Sequence, residues 1–330
     1  MQYCRFKTIN IGIAVYNEDK TLKRSLTSLI NDLDSMTFKE TPTVYICFNG
    51  CSDGTINKFL ELRKEIKYPV RILSSPKGKI RAHKRIIDEI GNDLPVIFID
   101  ADILFKVGTI RKVIDELIDS NRRIVCAYPY SIKPSNLSII KKILYGVINI
   151  KRIHPKIEIA RKDVSKFHPR EKDKFLKHSR IYFHGRFFAI RDKEVYVFPE
   201  EDSGIVGDDT FLSFVTLYNY PFGSIKVLYD TKVYSKPQLS IKAYLKSWFR
   251  IRKDLANIYK TYPEFNNLKK YVKMKINWEY VLKDIPMEYK IYAILFSLLR
   301  TFEAVSYFLL SKKINALDIW SYKEKPGELR

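Results

Sequence analysis

The 330-residue chain is long enough to bury a full core as one large domain or two, and its 46% hydrophobic content, without low-complexity tracts or internal repeats, argues against a disordered chain. Its net charge of +22 excludes an acidic protein and argues for an anionic partner such as a membrane surface, a polyanion or a nucleic acid. The excess is confined to two segments: residues 131–180 carry 14 Lys/Arg against 4 Asp/Glu, residues 232–330 carry 20 against 9, and the remainder is nearly neutral.

Ile9–Val15 alternates and is β-branched, which predicts a first strand broken at Tyr16-Asn17-Glu18-Asp19. Leu22, Leu26, Leu29, Ile30 and Leu33 then recur at helical spacing, with Asn17 or Asp19 available as the cap. Thr43–Phe48 predicts a second strand that ends in the turn-rich Asn49-Gly50-Cys51-Ser52-Asp53-Gly54-Thr55 and opens a helix with Ile56, Phe59, Leu60 and Ile66. Pro69–Leu73 reads as a short strand, and Lys77-Gly78-Lys79 leads into a helix carrying Ile80, Ile86, Ile87 and Ile90. Val96-Ile97-Phe98-Ile99 is a continuous apolar run entered through Pro95, the signature of a strand buried on both faces, and it stops at Asp100-Ala101-Asp102. A helix with Val107, Ile110, Val113, Ile114, Leu117 and Ile118 and a strand at Ile124–Tyr128 follow. This βαβαβ alternation predicts an α/β fold, Rossmann-like, with a mostly parallel sheet flanked by helices.

Four cysteines (Cys4, Cys47, Cys51, Cys126) lie too far apart for a disulfide framework, and no second Cys or His pair stands at zinc spacing. Core or loop thiols in a reducing, cytoplasmic setting are expected. The N-terminal Met-Gln-Tyr-Cys-Arg-Phe-Lys lacks the apolar stretch of a signal peptide.

In open α/β sheets ligands bind outside the carboxyl ends of the strands. The loops there bring Asn17 and Glu18, Asn49 and Asp53, Lys79 and Arg81, and Asp100 and Asp102 to one crevice. These supply polar groups for base and ribose, cations for phosphate, and carboxylates for a hard cation that takes its other ligands from substrate. A solvated Asp-Ala-Asp turn and a surface charge run at Lys79 and Arg81 are the plain alternatives. The chain has neither the G-x-G-x-x-G of a dinucleotide site after its first strand nor a G-x-x-x-x-G-K-[ST] loop.

Six stretches in order resemble the family 2 glycosyltransferases of GT-A fold. They are Ala14-Val15-Tyr16-Asn17-Glu18, Asn49 to Thr55, Gly78-Lys79-Ile80-Arg81-Ala82, Ile97 to Asp102, Gly185-Arg186-Phe187-Phe188-Ala189-Ile190-Arg191, and Gly207-Asp208-Asp209-Thr210-Phe211-Leu212-Ser213. The resemblance implies a nucleotide-sugar donor held by Ala14, Tyr16, Glu18, Asn49, Asp53, Lys79, Arg81, Asp100 and Ala101. It also implies Mg2+ or Mn2+ at Asp102, acceptor-side contacts at Gly185 and Arg186, and an acceptor-facing helix start at Gly207-Asp208-Asp209. Two departures stand out. Phe48 occupies the place of an aspartate that helps hold uracil, so uridine is less secured than the match itself. The later Q-x-x-R-W element is reduced to Ser247-Trp248-Phe249-Arg250-Ile251-Arg252, from which only a phosphate-facing Arg250 or Arg252 carries over.

Sugar transfer requires a neutralised diphosphate, an immobilised donor and a deprotonated acceptor hydroxyl. Asp209 is the candidate base and Asp208 the alternative; single displacement would invert the anomeric centre. Either aspartate could equally be a helix N-terminal carboxylate that complements the dipole. Glu201-Asp202 reads as a solvated loop, and His154, His168, His178 and His184 as structural. The expected organisation is a nucleotide-sugar-binding half (1–130), a basic insert (131–180), an acceptor-side half (181–255) and a helical C-terminal extension (256–330). Aromatics among the cations of the insert (Tyr130, Tyr145, Phe167, Phe175) keep open a nucleic-acid-binding protein as a rival, although Asp100, Asp102, Asp208 and Asp209 would repel phosphates unless metal-bound, and no nucleic acid is expected. A nucleotidyltransferase would want a glycine- and arginine-rich loop where the acidic Tyr16-Asn17-Glu18-Asp19 stands.

Ile291–Leu310 has the length of a membrane span but holds Arg300 and Glu303 near its middle, where charge is costly in a bilayer. On a helix, Ser297, Arg300, Thr301 and Glu303 fall on neighbouring turns. They leave Ile294, Leu295, Leu298, Phe302, Val305 and Leu309 on a broad apolar face, with Lys312, Lys313, Trp320 and Tyr322 beyond. Two readings stand: an in-plane helix on an anionic membrane surface, which would suit a lipid-linked or saccharide acceptor in envelope polysaccharide or glycolipid synthesis, and a helix docked against the catalytic domain.

Overall fold

The computed structural model describes residues 8–92, 95–120, 122–160, 183–237 and 239–310. His168, His178, Phe167, Phe175, Cys4, Lys312, Lys313, Trp320 and Tyr322 lie outside them. The chain forms two compact units, the first from residues 1–129, 182–198 and 208–235, the second from 130–181, 199–207 and 236–330.

The first unit is built on an eight-stranded sheet. Its strands in chain order are β1 (Asn10–Val15), β2 (Thr43–Asn49), β3 (Val70–Ser75), β4 (Val96–Asp100), β5 (Leu104–Phe105), β6 (Ile124–Ser131), β8 (Phe187–Ile190) and β9 (Ile225–Ser235), in the spatial order β3-β2-β1-β4-β8-β6-β9-β5. β7 (Glu158–Ala160) belongs to the second unit. β1 pairs in parallel with β2 and β4, and β2 with β3. β8 runs antiparallel to both β4 and β6, so β6 shares the direction of β4; β5 and β9 oppose each other, so six of the eight strands point one way. The expected mostly parallel sheet is therefore present. The β-branched runs form its centre because they are buried on both faces: Ile11, Ile97 and Ile99 contribute to the core on one side, Phe98, Val96 and Cys126 to the core on the other. Gly12 is required where it stands, since a Cβ there would meet the Phe98 ring of the paired strand at 2.9 Å.

Helices α1 (Leu22–Asp34), α2 (Thr55–Leu62), α3 (Lys79–Ile90), α4 (Thr109–Asp119) and, later, α6 (Asp208–Asn219) flank this sheet. The expected caps of α1 are not used. Thr21 takes the cap position without a side-chain bond, and the backbone of Leu22 donates to the Glu18 carbonyl. Asn17 instead adopts φ +54°, a left-handed conformation Asn tolerates, and serves the next loop. The buried Asp32 of α1 accepts from the backbone N–H of Gly108 (2.6 Å) and Ile110 (2.8 Å), satisfying donors at the start of α4 that the helix leaves open.

The second unit is largely helical: α5 (Ile139–Ile153), α7 (Ile241–Thr261), α8 (Lys269–Val272), α9 (Trp278–Lys283) and α10 (Met287–Leu310), with β7 antiparallel to β10 (Met274–Ile276). Val147, Ile150, Tyr244, Val281, Tyr292 and Phe296 form its core. Among the described residues, no helix is long and apolar enough to cross a membrane.

Candidate active site

The parallel register puts the strand ends side by side, Ala14 opposite both Cys47 and Asp100. Beyond β1 and β2 the loops lock together. The Asn17 carboxamide accepts from the Ser52 backbone (2.8 Å) and donates to the Ser52 hydroxyl (3.2 Å). The Glu18 backbone donates to Thr55 Oγ1 (2.7 Å), and Asp53 accepts from the Thr55 backbone (3.0 Å). Asn49, buried, donates to the Val15 carbonyl at 2.9 Å, tying the end of β2 to that of β1. Lys77 sits 4.9 Å from the Tyr16 ring centroid. Gly50 holds φ +73° in this loop, which a side chain rarely adopts.

The carboxylates at the end of β4 are met by an element that arrives from far along the chain. Because β8 pairs antiparallel with β4 in the register Ile99 to Phe187, its first residues reach the exit of β4, and the Asp100 backbone donates to the Arg186 carbonyl at 2.8 Å. The Arg186 guanidinium lies 3.2 Å from Asp102 Oδ1 and 3.9 Å from Asp100 Oδ2. Preceding it, the Gly185 backbone donates to Asp209 Oδ2 at 3.1 Å, and a Cβ on Gly185 would crowd Asp209 Cβ at 3.1 Å and the Asp208 oxygens at 3.3 Å. Asp209 Oδ1 accepts from the Thr210 backbone at 2.8 Å.

Lys79, at the first position of α3, is half-buried at the centre of this group. Its Nζ lies 2.7 Å from Asp100 Oδ1 and 3.4 Å from Asp208 Oδ2, and donates to the Gly185 carbonyl at 2.6 Å. It is no surface charge run. Burial alone would lower its pKa, but Asp100, Asp208 and Asp209 outweigh that and hold it charged. Arg186 follows the same balance, with Asp102 and Asp100 overriding its burial. Arg81, by contrast, is exposed on α3.

Two residues not singled out by the sequence stand behind the aspartates. His83, fully buried on the apolar face of α3, places Nδ1 2.5 Å from the Tyr196 hydroxyl and 3.4 Å from Asp208 Oδ2. Burial and Lys79 push its pKa well below the ordinary value, so the imidazole is neutral. Tyr196 is held protonated by burial and by Asp208 and Asp209. Asp208, 8% exposed, has its pKa pushed up to about 6, first by burial, with Lys79 opposing and Asp209 and Asp100 adding. The signal for His83 was its step with Ile86, Ile87 and Ile90; Tyr196 carried none, because its place depends on pairing remote in sequence.

The structure thus gathers Asp100, Asp102, Lys79, Gly185, Arg186, Asp208 and Asp209 into one cluster, with Ala14, Ala101 and Asn49 at the neighbouring strand ends. Tyr16, Glu18 and Asp53 lie in the loops beyond β1 and β2. Arg250 lies on α7 of the second unit. His184 faces the Tyr128 ring at 6.1 Å, and Tyr145 is buried with its hydroxyl donating to the Ser131 carbonyl at 2.9 Å, which removes it as a stacking platform for bases. Cys47 and Cys126 are buried thiols and Cys51 a half-buried one, none in a disulfide.

The sequence profile described as glycosyl transferase family 2 matches residues 10–196. No curated protein sequence matches the chain. Among solved structures, the mannosyltransferase PcManGT from Pyrobaculum calidifontis in complex with GDP-Man and Mn2+ aligns at a TM-score of 0.51 and 14% identity, covering 96% of this chain and 78% of that one. Glucosyl-3-phosphoglycerate synthase from Mycobacterium tuberculosis, in complex with Mn2+, UDP-glucose and phosphoglyceric acid, aligns at 0.49 and 13% identity, covering 77% of this chain and 79% of that one. The first of these likenesses bears on the fold.

Proposed function

The chain belongs to glycosyl transferase family 2, and from that premise we propose that it is a metal-dependent, inverting transferase that moves a hexosyl or N-acetylhexosaminyl group from a nucleotide diphosphate sugar, UDP-linked for preference, to an acceptor hydroxyl. The observation that carries the reading is the meeting of the β4 exit (Asp100, Asp102) with Gly185-Arg186 and the start of α6 (Asp208, Asp209) around half-buried Lys79.

The donor set fits a hard divalent cation. Among the described residues no group of three or more His, Cys, Asp or Glu is placed to cage a metal. An oxygen-only site at Asp102, with Asp100 two residues before it, suits Mg2+ or Mn2+ that takes its remaining ligands from diphosphate and water. Asp102 is the residue that would hold it, and the bound cation would neutralise charge on the leaving diphosphate. Asp100, fixed by Lys79 and by its backbone bond to Arg186, contacts ribose or the transferred sugar in this reading. Ala14, Tyr16, Glu18, Asn49, Asp53 and Ala101 line the base and ribose end in this reading, and Arg81 offers charge to phosphate; for Arg250 the same task rests on the family resemblance alone.

Asp209 takes the acceptor proton. Its carboxylate is oriented by two backbone N–H groups and remains half-exposed, whereas Asp208 is buried against Lys79 and His83. The acceptor oxygen forms its bond to the anomeric carbon as the bond to the diphosphate breaks, the electron pair leaves with phosphate, and a single displacement inverts the centre. Gly185 and Arg186 border the acceptor side. The acceptor is a lipid-linked or free saccharide, and we place the protein in the cytoplasm at the inner face of the cell membrane, in envelope polysaccharide or glycolipid synthesis.

A thermal-shift panel of nucleoside diphosphates and their sugars, with and without Mn2+, tests the reading, because a ligand that binds only the native state raises the melting temperature. Stabilisation that needs both nucleotide and metal is expected, and transfer is then confirmed by product analysis. A panel without any metal-dependent shift overturns it.

A further inference from the structure

Helix α10 of the second unit carries apolar side chains both toward its core and away from it. The side facing the core holds Tyr292, Ala293 and Phe296 but also the helix's central charges. Arg300 pairs with Glu158 of β7, and Glu303 is 0% exposed, 3.5 Å from Arg300 Nε and against Tyr244, whose pKa it helps to raise. The opposite side carries Met287, Ile291, Ile294, Leu298, Phe302 and Val305, each more than half exposed. Their steps of three and four residues make one stripe with no charge on it, about 27 Å long at 1.5 Å per residue. A surface helix ordinarily keeps its outward side polar, and an apolar stripe of this size left to water marks an interaction surface.

We infer that this outward face of α10 docks the protein on an anionic bilayer surface, with the helix lying in the plane of the interface. The inference deepens the membrane placement proposed above and rests on it. Charge selects the occupant. The second unit carries 33 of the 59 Lys/Arg and 16 of the 37 Asp/Glu, a net charge of +17. A second copy of the same face would bring two such units together, whereas a leaflet of acidic lipids attracts one. The same unit exposes another pairing of apolar and basic groups: Lys141 and Lys142, both exposed, stand between Ile140 and Ile143 at the start of α5, with Ile139 76% and Ile140 79% exposed. In sequence, Lys312 and Lys313 follow α10 directly. Apolar side chains beside lysines are the composition of an interfacial helix. The inward Arg300 and Glu303 explain why such a helix lies on a membrane and does not cross one: its charged side is already committed to the protein.

The test uses the full chain and vesicles of phosphatidylcholine with or without phosphatidylserine. The wild type should co-sediment with phosphatidylserine vesicles at low salt and be released at high salt. The variant Ile294→Gln/Leu298→Gln/Phe302→Gln, which alters only exposed side chains, should lose partitioning by about tenfold or more while keeping its melting temperature and its metal-dependent shift with nucleoside diphosphate. Wild-type-like partitioning of the variant overturns the assignment of this face and leaves the membrane placement standing. Absence of wild-type binding at any salt overturns both, without touching the nucleotide-dependent shift. A dimer in sedimentation equilibrium that the variant abolishes, with no vesicle binding, gives the face to a second copy and overturns the inference.

Discussion

Replacing Asp208 with Asn should make the protein more stable at neutral pH, and the structure says by how much. The Asp208 carboxylate is buried, and its Oδ2 has no hydrogen-bond donor among the described residues. Its ion-pair partner is shared, since Lys79 lies closer to Asp100 (2.7 Å) than to Asp208 (3.4 Å). Burial raises the Asp208 pKa from 3.8 to about 6. At 1.36 kcal/mol per pKa unit, holding this group ionised in the fold costs about 3 kcal/mol relative to the unfolded chain. The sign follows from proton counting. Below about pH 4 both states are protonated and the penalty is nil. Between about pH 4 and 6 the folded chain keeps a proton that the unfolded chain has lost, so stability falls as pH rises, and above about pH 6 the whole penalty is present. The Asn variant has no ionisation to suffer. With roughly 2–4 °C of melting temperature per kcal/mol in a unit of this size, the gap between variant and wild type should open by about 6–12 °C between pH 4 and pH 8. Scanning calorimetry of both proteins at the two pH values measures it. An equal gap at both, or a wild type more stable than the variant at pH 8, would show that Lys79 and His83 satisfy the carboxylate and that the reasoning is wrong.

Asp102→Asn is expected to abolish transfer and the Mn2+-dependent part of the thermal shift with nucleoside diphosphate while the fold survives; unchanged metal-dependent binding would remove Asp102 as the ligand. Asp209→Asn should still bind donor but lose turnover by roughly 10²-fold or more. Near-normal turnover there, with Asp208→Asn dead, moves the base to Asp208. In the second unit, Gly146→Ala on α5 should destabilise by about 1–3 kcal/mol despite alanine's better helix propensity, because its Cβ would lie 2.3 Å from ring atoms of Tyr292 on α10. Denaturant unfolding reads this, and Tyr292→Ala in the same chain should remove the penalty.

The parallel half of the sheet was legible because its strands are β-branched runs that stop at turn residues, and each stop sits where ligands bind in such folds. That Asp100, Asp102, Asn49 and Glu18 lie at or just beyond strand ends was legible from position alone. The antiparallel half was not. Phe187–Ile190 is a four-residue buried run that periodicity cannot separate from a helix segment, and Leu104–Phe105 is too short to signal at all. What Lys79 does was hidden for the same reason. As a cation opening a helix it could equally be solvated, and only the insertion of β8 beside β4 brings Gly185 and Arg186 to enclose it. His83 was passed over because the helix was read from its isoleucines, although it lies on their face. The charges of α10 were expected among its polar turns; that this side faces the core and the apolar side faces outward depends on Glu158 and Tyr244, remote in sequence.

The cluster's own charges bear on why a nucleotide diphosphate sugar would need a cation there. Four carboxylates (Asp100, Asp102, Asp208, Asp209) stand with two half-buried cations, Lys79 and Arg186, and neutral His83 adds nothing. The partial protonation of Asp208 reduces the deficit without closing it. Both cations are already engaged, Lys79 by two carboxylates and the Gly185 carbonyl, Arg186 by Asp102 and Asp100. An incoming diphosphate would therefore meet net negative charge, with both cations already drawn to carboxylates. In the proposed reading, a divalent ion held by Asp102 would offset that deficit, so metal and diphosphate should favour each other's binding. Asp209, oriented by the Gly185 and Thr210 backbone N–H groups, would keep its orientation as that ion binds, which the proposed role as base calls for.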